Sequence, residues 1–282
     1  MLAPPLFSSG LFSLQGKVAV VTGGSRGLGK EIASALGAAG ARLTITARRE
    51  QWLGPTATEL RAAGYECLAA TCDVSDANQV EAFVARVLEH YGRIDILFNN
   101  AGISWAAPSA EIPLQKWRDV MEVNATGTFI MSQAVGRHMI ARAERNEATS
   151  ALAGAADRPI GACIGKIVNV SSIMGLRGLP PDVLSAAPYS ASKGALVALT
   201  RALAVEWAGY GITVNALAPG FFPTRLSEGV IGQHEAALLS RIPLGRLGSD
   251  RDLHGVAVFL AAPASDYITG QVISLDGGAT AL

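Results

Sequence analysis

From Lys17 onward, short runs of β-branched and apolar residues alternate with longer Ala-rich stretches in which apolar positions recur at helical spacing. The short runs are KVAVVT (17–22), RLTITA (42–47), ECLAATC (66–72), RIDILF (93–98), KIVNV (166–170), ITVNAL (212–217) and QVISL (271–275). Near-continuous apolarity of this kind marks strands buried on both faces. Between them the spacing predicts helices over about 28–39, 50–63, 76–91, 114–142, 189–209 and 250–262. Seven strands with intervening helices predict an α/β fold, because parallel neighbours require crossover connections. The expected architecture is one Rossmann-type doubly wound sheet of seven parallel strands with helices on both faces. Residues 14–282 form its single domain, preceded by an N-terminal arm over 1–13. Residues 143–164 separate a helix from the fifth strand by more than the ~2–6 residues such a connection needs, and read as a surface insertion.

Composition narrows the function. Of the 282 residues, 50% are hydrophobic and 16% charged, with 23 basic and 23 acidic side chains. Disordered chains and basic nucleic-acid binders are both excluded by that balance. Cys67, Cys72 and Cys163 are odd in number, without C-x-x-C and without histidine at metal spacing, so no disulfide framework and no metal site are expected. The first sixteen residues are uncharged, but they contain Pro4 and Pro5 and no basic start, which reads against a signal peptide. No uncharged apolar run reaches the ~18 residues of a spanning helix. The expectation is a soluble, cytoplasmic protein with no membrane and no nucleic-acid partner.

Directly after the first predicted strand, TGGSRGLG (22–29) opens into a helix. Glycines there permit a tight turn, close backbone approach to a pyrophosphate and close helix–strand packing, while the helix N-terminus offers unpaired N–H groups. Gly23, Ser25, Arg26, Gly27, Leu28 and Gly29 are therefore candidate dinucleotide-binding residues. NAD sites carry an acid at the end of the second strand for the ribose 2′-OH. Here that strand ends Thr46-Ala47-Arg48-Arg49, and Arg26 and Arg48 suit a 2′-phosphate instead. NADP(H) is the preferred cofactor on this reading, with NAD(H) also admissible.

Tyr189 and Lys193, at i and i+4 in YSASK, share one helix face. A free phenol, with a pKa near ~10, is a poor acid–base group at neutral pH, and an adjacent ammonium favours its ionised form.

Together with Asp73-Val74, NNAG (99–102), Asn124, VSS (170–172) and APG (218–220), these motifs resemble the short-chain dehydrogenase/reductase family from about Leu14 to Gly278. Each follows the carboxyl end of a predicted strand or lies on the helix after it, where open α/β sheets bind ligands. The resemblance implies catalytic roles for Ser172, Tyr189, Lys193 and Asn124. Tyr189 exchanges a proton with the substrate oxygen, and Ser172 hydrogen-bonds that oxygen. Lys193 holds the nicotinamide ribose, and Asn124 anchors a water leading to Lys193. It also implies cofactor contacts from Asp73, Val74, Asn100, Ala101, Gly102, Tyr189, Lys193, Pro219, Gly220 and Thr224. A substrate pocket near Trp105, Met174, Phe221 and Phe222 is expected. The 17-residue interval from Ser172 to Tyr189 is longer than usual for the family, and Pro180-Pro181 suggests a bulged loop beside that pocket.

The implied reaction is NADP-dependent hydride transfer between a ketone and a secondary alcohol, by an enzyme acting on CH–OH groups. FFPTRL after APG and the opening LFSLQGKVAVVTGG resemble gluconate 5-dehydrogenases and similar sugar or polyol members. The general layout is also similar to 3-oxoacyl-acyl-carrier-protein reductases. The basic residues that subgroup uses to hold its acidic carrier are missing, however, from GACIG before Lys166 and from AGYG. A catalytically silent NADP-binding sensor is the reading from another class; it would lack Ser172, Tyr189 or Lys193. Long apolar helices over 114–142 and 189–209 predict a homotetramer, which the resemblance also implies. The Gly- and Pro-containing stretch 220–249 reads as a substrate lid, on which Arg225 and His234 could bind a carboxylate.

Overall fold

Seven parallel strands form one sheet in the order β3-β2-β1-β4-β5-β6-β7. They are β1 (Val18–Thr22), β2 (Arg42–Ala47), β3 (Cys67–Thr71), β4 (Ile96–Asn99), β5 (Gly165–Val170), β6 (Ile212–Pro219) and β7 (Val272–Leu275). The computed structural model describes residues 10–149, 163–180 and 183–282. The expected fold class is the observed one.

Alternation along the strands divides the core. Ala19 and Val21 of β1 face one cluster with Ile96, Phe98, Val168 and Val170; Val18 and Val20 face the other with Leu97, Ile167 and Val214. The first cluster is covered by helices α1 (Gly27–Ala38), α2 (Glu50–Ala62) and α8 (Asp250–Ala261). Helices α3 (Ala77–Tyr91), α5 (Gly127–Thr149) and α6 (Ala187–Trp207) cover the second. A side-chain period of two on a sheet screened on both sides accounts for the near-continuous apolar runs. Only the edge strands β3 and β7 admit solvent along their length.

Strand order reverses at β1 and β4. Successive crossovers run outward from β1 through β2 to β3, then return to β4 and proceed the other way. The loops after β1 and β4 diverge there and leave a crevice at the carboxyl ends of the strands. The Gly loop and NNAG are therefore brought together by topology.

Three local differences from the sequence pattern affect this region. The predicted helix over 114–142 is broken into α4 (Leu114–Met121), a π-helical turn (Glu122–Thr126) and α5, which runs on to Thr149. Seven residues of the expected surface insertion are thus helical, while 150–162 lie outside the described residues. Residues 10–13 of the expected arm are described and 1–9 are not. Finally, residues 228–239 fold as α7 (Glu228–Leu239), kinked at His234, where the Gly and Pro content had predicted loop. Its Ile231 and Leu238 pack with Val183, Phe221 and Leu247 in a small third cluster. The expected bulged loop before α6 therefore lies against α7. Pro181 itself lies outside the described residues.

Candidate active site

Gly23 has φ +64°, and a Cβ there would sit 2.9 Å from the Ala101 Cα. A Cβ on Gly29 would lie 2.3 Å from the Gly23 carbonyl oxygen. The first glycine sets the turn and the last lets α1 abut the strand end, as that loop chemistry demands. Asn100 secures the loop from β4: its Nδ2 donates to the Thr22 and Gly23 carbonyls at 3.0 and 3.2 Å. The Asn100 and Ala101 N–H groups both donate to Thr22 Oγ1 at 3.0 Å.

No side chain caps α1, and its first turn holds no acid. Its N-terminal N–H groups and partial positive charge face a cleft of about 730 Å³. Residues Gly23, Ser25–Leu28, Ala47–Arg49, Trp52, Asp73, Val74, Asn100–Gly102 and Pro223–Leu226 line it. Arg48 lies 3.8 Å from Asp73, whose Oδ1 also accepts from Ser75. Burial and the neighbouring Arg225 and Arg49 charges hold Arg26 below the usual guanidinium range. A glycine cradle, an uncapped helix N-terminus and several arginines suit a phosphorylated dinucleotide.

A smaller recess of about 110 Å³ adjoins it, lined by Ser172, Tyr189, Lys193, Pro219, Gly220 and Phe222. Leu28, Asn100, Gly102, Thr224 and Leu226 line both spaces and so form their junction. Ser171 donates to the Lys193 carbonyl at 2.8 Å, tying β5 to α6. Ser172, the next residue, lines the recess beside Tyr189. Its Oγ accepts from the Met174 N–H at 3.2 Å. Extended backbone between the two serines sends one side chain to the scaffold and the other to the recess.

Burial raises the Tyr189 pKa, and the neighbouring Ser172 hydroxyl opposes that rise. Burial also lowers Lys193 to about 8. The Lys193 Nζ donates to the Val170 carbonyl at 2.6 Å and lies 5.6 Å from the Tyr189 ring centroid. In this geometry burial, rather than the ammonium, dominates the phenol, which therefore stays protonated near neutral pH. A protonated phenol beside a hydroxyl is arranged to donate a proton to a carbonyl oxygen.

The π-helical turn explains a buried polar residue in mid-helix. It carries Asn124, whose Nδ2 donates to the Ile103 carbonyl and to Ser192 Oγ, both at 2.9 Å, while Oδ1 accepts from the Ile103 N–H at 2.8 Å. Ser192 in turn donates to the Tyr189 carbonyl. Asn124 thus fastens the loop after NNAG to the first turn of α6. A single π turn at a functional position is a recurrent use of that geometry.

The four expected pocket residues separate. Phe222 is buried and lines the recess, but Phe221 turns into the cluster beneath α7. Met174 is buried beneath Ser172, and half-exposed Trp105 carries the Lys116 Nζ at 4.8 Å from its ring centroid. Neither lines the cleft or the recess. Sequence reasoning missed Arg49 and Trp52 as cleft residues, and Ser192 and Gly175 as positioning residues. A Cβ on Gly175 would meet the Lys193 carbonyl carbon at 2.5 Å. In the sequence only Ser192, within YSASK, and Arg49, beside Arg48, carried a signal.

A family model described as enoyl-(acyl carrier protein) reductase matches residues 23–280. The chain belongs to the short-chain dehydrogenase/reductase family. This dehydrogenase/reductase is 38% identical to gluconate 5-dehydrogenase of Gluconobacter oxydans over 272 residues, covering 96% of this chain and 97% of that protein. It is 37% identical over 273 residues to a Streptomyces coelicolor protein named as a ketoacyl reductase, covering 93% and 96% of the two chains. Among solved structures, gluconate 5-dehydrogenase of Burkholderia cenocepacia in complex with NADP and tartrate superposes with a TM-score of 0.86 at 37% identity. That match covers 98% of this chain and all of the other. Among the described residues no helix is long and apolar enough to cross a membrane.

Proposed function

We propose that the protein is an NADP-dependent oxidoreductase that interconverts a ketone and a secondary alcohol on a sugar acid of the gluconate type. The observation that carries the reading is the buried Tyr189 phenol, beside Ser172 and with Lys193 Nζ 5.6 Å from its ring centroid, in a recess adjoining an arginine-rich dinucleotide cleft. Gluconate 5-dehydrogenases similar over nearly the whole chain support the substrate class.

When bound, the nicotinamide supplies or accepts the hydride. The chain's own residues do the rest. Tyr189 Oη gives a proton to the carbonyl oxygen, and the Ser172 hydroxyl hydrogen-bonds the same oxygen and orients it. Asn124 holds the phenol's helix against the loop after β4, and Lys193 ties it to the end of β5 and would bind the nicotinamide ribose. Buried Phe222 keeps water from one wall of the recess. The ketoacyl reductase reading is tested against this one by comparing kcat/KM for 5-ketogluconate with that for a β-ketoacyl thioester. A ratio favouring the thioester overturns the substrate assignment.

Cofactor choice follows from Ala47 and the arginines. Replacing Ala47→Asp together with Arg48→Ala puts a carboxylate where the 2′-phosphate would lie and removes a cation. The double variant should favour NADH by kcat/KM, a reversal of about tenfold or more, since one charge-assisted contact is worth ~1.5–3 kcal/mol. Unchanged preference for NADPH would remove Arg48 from the site.

Residues 220–249 act as a substrate lid on this reading, with the two halves of α7 as its rigid parts and the His234 kink between them and Gly245, at φ +64°, as its flexible points. Hydrogen exchange across 221–245 should slow when NADPH and a substrate analogue are added together. Equal, strong protection in both states would mean a fixed element. Self-association into a homotetramer is supported by Phe129 and Val205, 44% and 83% exposed on α5 and α6. Light scattering at micromolar concentration should give four chains per particle, and a stable monomer would refute it.

A further inference from the structure

Two guanidiniums from distant parts of the chain meet one indole at the mouth of the large cleft. Arg26, in the Gly loop, places its Cζ 5.4 Å from the Trp52 ring centroid, and Arg225, after β6, places its Cζ at 5.6 Å. All three line the cleft, with Arg48 and Arg49 beside them at the end of β2. The acid nearby, Asp73, is directed to Arg48 and Ser75. No described carboxylate lies within ion-pair distance of Arg26, Arg49 or Arg225. Burial first, and then the Arg225 and Arg49 charges, hold Arg26 below its ordinary value. Like charges gathered on one ring without a counter-ion are arranged for an anion that is not part of the chain.

We propose that Arg225 is a specificity-determining residue for the 2′-phosphate, delivered by the segment after β6 and held in place by Trp52. The inference rests on the NADP reading above and adds to it a residue from the opposite wall. Position selects the 2′-phosphate over the other anions. The pyrophosphate belongs at the uncapped start of α1, whereas Arg48 and Arg49 follow β2 and Trp52 lies in the first turn of α2, where the adenosine ribose is recognised. A substrate carboxylate belongs in the recess with Ser172 and Tyr189, which Arg225 does not line. Stacking on the indole orients the planar guanidinium before the anion arrives, so little ordering is left for binding. The adjacent Thr224 lines both the cleft and the recess, and its N–H donates to Ser227 Oγ at 3.0 Å. Through that neighbour the phosphate end of the cofactor would draw in the segment that borders the reactive end.

The test uses the full chain with two small probes, adenosine 2′,5′-bisphosphate and adenosine 5′-monophosphate, titrated by calorimetry. Arg225→Gln should weaken the bisphosphate by about tenfold or more and leave the monophosphate within about twofold, as loss of one charge-assisted contact requires. Arg225→Lys should recover part of the loss, because charge returns without the planar fork. Tryptophan fluorescence should change on adding the bisphosphate to the wild type, and that change should vanish in Trp52→Phe. Arg225 is exposed, so thermal melts of its variants should match the wild type. Equal affinity of wild type and Arg225→Gln for the bisphosphate overturns the proposal. So does a raised KM for the ketone with unchanged NADPH affinity, which would assign Arg225 to the substrate. A wild type that does not distinguish the two probes defeats the NADP reading itself, and so is separable from a failure of Arg225 alone.

Discussion

Tyr189→Phe should lower kcat by about 10²–10⁴-fold while NADPH affinity stays within about twofold of wild type. The substitution removes one oxygen and keeps the ring, so the packing of α6 and the cation contact from Lys193 survive. What is lost is the proton held on the phenol by burial. Ser172 cannot replace it, since its hydroxyl is far too weak an acid to protonate the substrate oxygen. Steady-state rates with saturating cofactor, alongside fluorescence titration of NADPH, separate the two effects. Retention of more than about a tenth of kcat would correspond to only ~1.4 kcal/mol of barrier and would take the proton-transfer role away from Tyr189.

Lys193→Met should damage both binding and rate, with kcat/KM falling by about 10²-fold or more, because on the proposed function the ammonium binds the ribose, and it lies 5.6 Å from the phenol ring centroid. Its burial adds a second, independent signature. The lysine is held at about 8 in the folded protein, below its ordinary value near 10.5 in the unfolded chain. Between those values the unfolded chain binds the extra proton, so wild-type stability rises with pH across about 8–10.5. That contribution is fully present above the unfolded value and is lost as pH falls through about 8. Urea denaturation at pH 7.5 and 10 should therefore show a rise in wild type that Lys193→Met lacks. An identical rise in both proteins would mean that another group titrates there.

How much of this was legible in the chain depended on whether the signal was local. Strand runs such as RLTITA declared themselves because both faces of the sheet are covered, and β2 occupies the same six residues in the structure. Of β4, by contrast, Arg93 to Asp95 fall outside the strand: Asp95 accepts the Val18 N–H at 2.9 Å and pairs with Arg93 and Arg142. The Gly loop and YSASK were legible because their spacing carries the chemistry. The π-helical turn was not: Glu122–Thr126 read as part of one continuous helix over 114–142. Helix α7 was masked by Gly229 and Gly232, whose unfavourable propensity is overcome by packing of Ile231 and Leu238 on the loop before α6. The meeting of Arg26, Trp52 and Arg225 was also hidden, because three elements converge there only after the sheet has formed.

On the proposed function, this cleft joins a hydride from NADPH to a proton from Tyr189 on a sugar-acid ketone. The most direct measurement of this is the loss of reduced-nicotinamide absorbance when the purified protein, NADPH and 5-ketogluconate are mixed, repeated with NADH and with a panel of diketones and β-ketoesters. Turnover of 5-ketogluconate, with kcat/KM higher for NADPH than for NADH by about tenfold or more, is the predicted result. Tight NADPH binding with no turnover of any ketone in the panel would contradict it and make the protein a nucleotide sensor.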